Sequence, residues 1–220
     1  MTQISKKTGL WLGGFGALGS LLLFAGDMLF YYNGDKTDFL LNMSQVSSER
    51  IIWSGIFALL AMWLYLAGAG QIFFAFQPES AGMRWGSFLS FAMVVSAYGV
   101  VHGAYTGIAV AAKNAAALGL PPQEFAALAI AVNQALRKTV YFPFGVFTIL
   151  FTISVWRKRT HYPRWILFFS PIVPFLLQGI ILDHLTGKAL AIIGGGYLNL
   201  ILLLFFLTST LALAYSKESQ

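Results

Sequence analysis

The chain has 220 residues, 58% of them hydrophobic and 10% charged, with a formal net charge of +6. Soluble domains carry roughly a quarter charged residues, so this chain lacks the charge to cover a water-facing surface. It has no cysteine, which excludes disulfides, thiolate nucleophiles and cysteine-ligated metals. Its basic residues fall between apolar runs, a placement that fits membrane topology and lipid headgroups and argues against nucleic acid as a partner.

The uncharged runs are each about 18 residues or longer, enough to cross a hydrocarbon core of roughly 30 Å as a helix. None alternates with period two, which excludes a transmembrane β-barrel, and helices then satisfy the backbone in lipid. The expected fold is all-α, a polytopic membrane protein. It is one integral membrane domain over residues 1–220, a six-transmembrane-helix bundle with spans near 8–32, 51–76, 85–112, 139–156, 165–184 and 189–215.

Lys6 and Lys7 precede the first span, which is too long for the apolar region of a signal peptide and is expected to be retained. Gly14-Phe15-Gly16-Ala17-Leu18-Gly19 has the spacing of a dinucleotide fingerprint. With no strand before it, helix packing is the expected role, and Gly9 and Gly13 add a GxxxG face. Such glycine-rich faces also admit a homo-oligomer. Asp27 lies near the far end of this span with Tyr31 one turn on, and Asn33-Gly34-Asp35 marks a turn.

The third span carries His102, with Tyr98, Tyr105 and Thr106 at i−4, i+3 and i+4 on its face. After Gly119 and Pro121-Pro122, apolar residues Phe125, Leu128, Ala129, Val132 and Leu136 recur at helical spacing. This predicts an amphipathic extracytoplasmic helix before the fourth span, resting on the outer surface or leading into the span. Pro143, Pro171, Pro174 and Gly194-Gly195-Gly196 interrupt later spans. Asp183 and His184 end the fifth, and Tyr197 and Asn199 follow the glycines of the sixth.

The loop Arg157–Arg164 holds four permanent positive charges, which places it in the cytoplasm together with both termini. Eight basic residues then lie inside and six outside. A cell membrane, of the bacterial inner-membrane type, is the expected location. Trp11, Trp53, Trp85, Trp156 and Trp165 mark span boundaries, and Trp63 alone falls in mid-span.

Ionisable groups inside a span cost several kcal/mol and are candidate functional residues. Asp27, His102 and Asp183 all fall toward the extracytoplasmic side, predicting an outward-facing pocket with these three as catalytic residues. Tyr31, Tyr98, Tyr105, Thr106, His184 and Asn199 are the expected substrate contacts. Asp27 and Asp183 lie near helix C-termini, where the dipole disfavours a carboxylate, so each requires a partner. His102 is the expected partner of Asp27.

Gly26-Asp27-Met28-Leu29 resembles the glycine–aspartate element of membrane lysoplasmalogenases over four residues, without the rest of that pattern. The HxxxH pair of ceramidase-type zinc hydrolases is absent, as are GxSxG and HExxH. Lys188 lies at a helix end, unlike the lysine of a retinal protein. No metal or cofactor is expected. The leading function is a membrane-embedded enzyme acting by acid–base chemistry on a lipid or isoprenoid-like substrate, among membrane lipids as surroundings. Alternatives are a small membrane transporter or proton-coupled carrier, and a non-catalytic assembly or sensor subunit.

Overall fold

The computed structural model describes residues 5–32 and 38–216. The expected turn at Asn33-Gly34-Asp35 and the basic residues Lys36 and Lys217 lie outside the described residues. In chain order the helices are α1 (Lys6–Tyr31), α2 (Phe39–Gln45), α3 (Ser48–Ala75), α4 (Ala81–Ala117) and α5 (Pro122–Trp156). A 3₁₀ segment Arg164–Phe169 follows, then α6 (Ile172–Leu176), α7 (Gln178–Leu182), α8 (Gly187–Ala189), a π turn Leu190–Gly194, and α9 (Tyr197–Tyr215). There is no strand among the described residues.

Local chemistry sets the helix starts. Ser5, Asp38, Ser47 and Ser80 each accept a hydrogen bond from a first-turn amide of α1, α2, α3 and α4. Pro122 opens α5, where a missing N–H costs nothing. Two helix ends are closed by cations from elsewhere. The Arg50 guanidinium donates to the carbonyls of Met28 and Tyr32 at 2.9 and 2.8 Å, and Lys6 Nζ donates to Ser216 O at 2.8 Å. Each meets the negative end of a helix dipole.

Among the described residues five helices (α1, α3, α4, α5 and α9) are long and apolar enough to cross a membrane. Their outer surfaces carry large apolar side chains, including Trp11, Leu21, Ile52, Trp63, Met93 and Phe142. A soluble protein does not leave so broad an apolar surface in water, and the chain is accordingly suited to a multi-pass membrane bundle. Trp63, away from the span boundaries, is 56% exposed on this outer surface.

The fifth expected span, 165–184, is not a continuous helix. Proline explains the break. The residue before a proline is pushed out of the helical region, and Ser170, before Pro171, is extended at φ −63°, ψ 146°. Pro174 then removes a donor from within α6. Pro143, by contrast, is accommodated inside α5 without ending it.

The predicted amphipathic element is not a separate helix either. Residues from Pro122 onward form the first half of α5, continuous with the fourth span. Its stripe Phe125, Leu128 and Val132 points outward, while Ala126 and Asn133 pack inward and Asn133 Nδ2 donates to Val101 O at 2.9 Å. With 37 and 35 residues, α4 and α5 are about 55 and 52 Å long, well beyond a core of roughly 30 Å. Their paired ends pack with α2 in a small core of Phe30, Tyr31, Met43, Val46, Ile51, Ile108, Ala109 and Ala126.

The main core is aromatic, with Phe91, Phe147, Phe151, Phe205 and Phe206 in mutual ring contact. Small residues let α1 approach α3 and α9. A Cβ on Gly16 would strike the Phe206 ring, one on Gly13 would strike Gln71 and Thr210, and one on Gly68 would fall 2.6 Å from Gly16 Cα. The fingerprint-like glycines are thus split: Gly16 and Gly19 face neighbouring helices and Gly14 faces open space. Gly9 and Gly13 likewise meet side chains of this chain, Phe74 for the first and Gln71 and Thr210 for the second.

Candidate functional site

A cavity of about 340 Å³ lies among α1, α4, α5, the segment from α6 to the π turn, and the start of α9. Asp27, Tyr31, Tyr98, His102, Tyr105 and Asn199 all line it. Six of the nine sequence-predicted site residues therefore come together. The other three do not. Asp183 and His184 are exposed after α7, and His184 Nδ1 bonds the Ile180 carbonyl in its own turn. Thr106 donates to Gly103 O and directs its methyl toward Gly55 on α3, outside the cavity lining.

Asp27 and His102 form the centre. His102 Nδ1 lies 3.1 Å from Asp27 Oδ1, and both residues are buried. The second carboxylate oxygen, Oδ2, accepts from Asn199 Nδ2 at 2.6 Å. The amide of Asn199 is oriented in turn by Tyr65, whose hydroxyl donates to Asn199 Oδ1 at 3.0 Å. Phe30 stacks on the imidazole with centroids 5.2 Å apart. Close backbone approach makes this possible: a Cβ on Gly196 would collide with Phe24, and one on Gly195 would fall 2.8 Å from Tyr31. Glycine at both positions lets α9 bring Asn199 to α1.

Behind His102, Nε2 lies 2.7 Å from Ser54 Oγ, and Ser54 Oγ donates to Gly26 O at 2.7 Å. The order Ser54–His102–Asp27 matches the connectivity of a serine-hydrolase triad, but it is reversed with respect to the cavity. Ser54 is fully buried and away from the lining, whereas Asp27 borders the space. A nucleophile must reach its substrate, and here Ser54 lies behind His102 while Asp27 is the member of the chain that faces the cavity.

The hydrogen bonds define what this arrangement can do chemically. A hydroxyl has one hydrogen to donate. When Ser54 gives it to Gly26, its oxygen accepts from His102 Nε2–H, and the Asp27–His102 pair shares one further proton and is neutral overall. When Ser54 rotates its hydrogen toward Nε2, the pair holds one proton fewer and carries a net negative charge. Proton gain and loss thus belong to the pair as a unit, and a hydroxyl rotation accompanies each.

Ser54, Tyr65, Arg137 and Gln178 are site residues that sequence reasoning missed. A serine or tyrosine in an apolar helix gives no distinguishing signal. Arg137 lines the cavity but reads as a loop charge if the fourth span is started at Thr139; carrying the helical period of 125–136 forward would have placed it on a helix. Among the described residues no group of three or more His, Asp or Glu side chains is placed to hold a metal ion.

A family model described as "Family of unknown function (DUF6796)" matches residues 4–216. No curated protein and no solved structure matches the chain. The chain belongs to that family of unknown function.

Proposed function

We propose that this member of the family is a membrane-embedded enzyme that exchanges protons with a lipid or isoprenoid-like substrate in an outward-facing pocket, through the Asp27–His102 pair. The observation that carries this reading is the cavity itself. A carboxylate with both oxygens hydrogen-bonded borders a space of about 340 Å³, and buried acid–base pairs in such settings are suited to general catalysis. Aromatic walls from Tyr31, Tyr98, Tyr141, Phe144 and Phe175 fit an apolar or unsaturated substrate.

In the same reading the chain crosses the bilayer six times, with Arg157–Arg164 and both termini in the cytoplasm. Two contacts support the sixth crossing. His161 N donates to Ala75 O at the Trp156 end of α5, and Tyr197 OH donates to Pro174 O beside the cavity. The segment between them travels from one end of the bundle toward the other, as a broken rather than a regular helix.

The broken segment and the π turn flank the cavity, which favours a small proton-coupled carrier as a second reading. One experiment separates the two. Purified protein in nanodiscs is incubated with a total membrane-lipid extract, and the lipids are profiled by mass spectrometry. Turnover by wild type and by Asp183→Asn, with none by Asp27→Asn, is the expected result. Unchanged lipids with wild-type protein, accompanied by proton flux in proteoliposomes, would establish the carrier instead.

A further inference from the structure

The two ends of the cavity differ in chemistry. At the end nearer α2, Arg137 of α5 lines the wall and is half-buried. Among the described residues its one hydrogen bond is from Nη1 to Tyr105 Oη at 3.3 Å, and no carboxylate lies within 4.0 Å of it. A guanidinium presents five N–H donors, so most of its hydrogen-bonding capacity is not taken up by protein groups among the described residues. Two other cations toward this end are engaged elsewhere: Arg50 closes α1, and Lys113 Nζ donates to Val46 O at 2.8 Å. Arg137 stands 19 residues before Trp156, about 28 Å along the helix, at the outer edge of a hydrocarbon core of roughly 30 Å.

The opposite end is apolar, lined by Leu23, Val94, Phe144 and Leu198. Between α5 and α6 the wall consists of rings, with Tyr141 and Phe144 at 5.9 and 5.4 Å from Phe175. The cavity thus runs from a cation at headgroup depth, past Asp27 and His102, to an apolar floor. Its volume is at the small end of ligand sites, which span about 300–1,000 Å³. That suits a head and part of one chain better than a two-chain lipid.

We propose that the cavity takes a single-chain amphiphile with an oxyanionic head, phosphate or carboxylate, held by the Arg137 guanidinium and the Tyr105 hydroxyl, with its chain on Leu23, Val94 and Phe144. This names the substrate class for the enzyme reading above and rests on it. Arginine is the side chain whose forked donors match such oxyanions. The proton-loaded Asp27–His102 pair is neutral and does not repel the head, so anion binding and proton loading favour one another.

The test uses full-length protein in phosphatidylcholine nanodiscs and a dodecyl phosphate bearing a diazirine on its chain. Saturable photolabelling on α1, α4 and α5 is expected, displaced by dodecyl phosphate but not by dodecyltrimethylammonium or inorganic phosphate. Arg137→Gln should weaken binding at least about tenfold, with Arg137→Lys intermediate. Tyr105→Phe, which leaves the charge in place, should weaken it by a smaller factor. Wild-type affinity in both Arg137→Gln and Tyr105→Phe, or equal displacement by the ammonium compound, would overturn the inference. Equal displacement by inorganic phosphate would overturn the amphiphile in favour of a free anion. Asp27→Asn should bind the probe within about threefold of wild type while losing turnover. Lipid turnover without probe binding would sink the anionic-head assignment and leave the enzyme reading standing.

Discussion

Replacing His102 by alanine isolates the energetics of the buried pair. The substitution removes the partner 3.1 Å from Asp27 Oδ1, leaves that oxygen facing the void of the ring, and deprives Phe30 of its stacking neighbour. Removing one member of a buried ion pair costs about 3–5 kcal/mol. The Asp27 side chain is 10% exposed and borders a cavity that water can enter, which lowers the expectation to about 2–4 kcal/mol. Asp27→Asn keeps the shape and the Asn199 neighbour but removes the charge. In that background His102→Ala should cost ring packing and the Ser54 contact, about 1–2 kcal/mol. The resulting coupling energy of about 1–2 kcal/mol is measurable in a double-mutant cycle. Equilibrium unfolding by sodium dodecyl sulfate titration in mixed micelles supplies the four stabilities. Additivity within about 0.5 kcal/mol would refute the claim that the two side chains act as one unit.

Gly16→Leu and Gly14→Leu form a matched pair two residues apart. The first drives a side chain into Phe206 and should cost 1–3 kcal/mol or more; the second meets nothing within 4 Å and should change stability by less than about 0.5 kcal/mol, as read by detergent melting. His161, in the loop before the 3₁₀ segment, is partly buried, and burial holds its imidazole below the usual histidine value of 6.5. The unfolded chain then binds a proton at a pH where the folded one does not, so stability is lost as pH falls below about 6.5. His161→Gln should flatten that part of a melting profile between pH 7 and 5, and an unchanged profile would remove His161 from the explanation. In the cysteine-free background, an impermeant thiol reagent should label Thr186→Cys and not Thr160→Cys in intact cells, and the reverse pattern would invert the orientation.

Sequence patterning made the fold legible wherever composition alone decides. Runs such as 51–76 and 85–112 became α3 and α4 because long apolar segments have few alternatives to a helix in lipid. It misjudged the places where two local rules compete. At 165–184 the apolar run argued for a span and the prolines against a regular helix, and the prolines prevailed in the local structure, leaving a 3₁₀ segment and two short helices. At 122–138 a periodic stripe fitted either a surface helix or one leading into the fourth span, and the structure has the second, with Phe125 and Leu128 pointing outward and Asn133 inward. Periodicity reports an apolar face without saying what covers it. For the site, Asp27 and His102 stood out because ionisable groups are rare in spans. Asp183 carried the same label but sits in an exposed turn, since a residue at a span end is buried or wet according to tertiary packing alone. Ser54 and Tyr65 acquire their importance from hydrogen bonds across helices far apart in sequence.

The most direct measurement is the fate of the proton. Wild-type protein in nanodiscs with a membrane-lipid extract is incubated in deuterium oxide, and the converted lipid is analysed by mass spectrometry for solvent-derived deuterium bound to carbon. The account predicts one deuterium at the reacting carbon with wild type, none of this product with Asp27→Asn, and strongly reduced amounts with His102→Ala. Deuterated product formed at the wild-type rate by Asp27→Asn would contradict it.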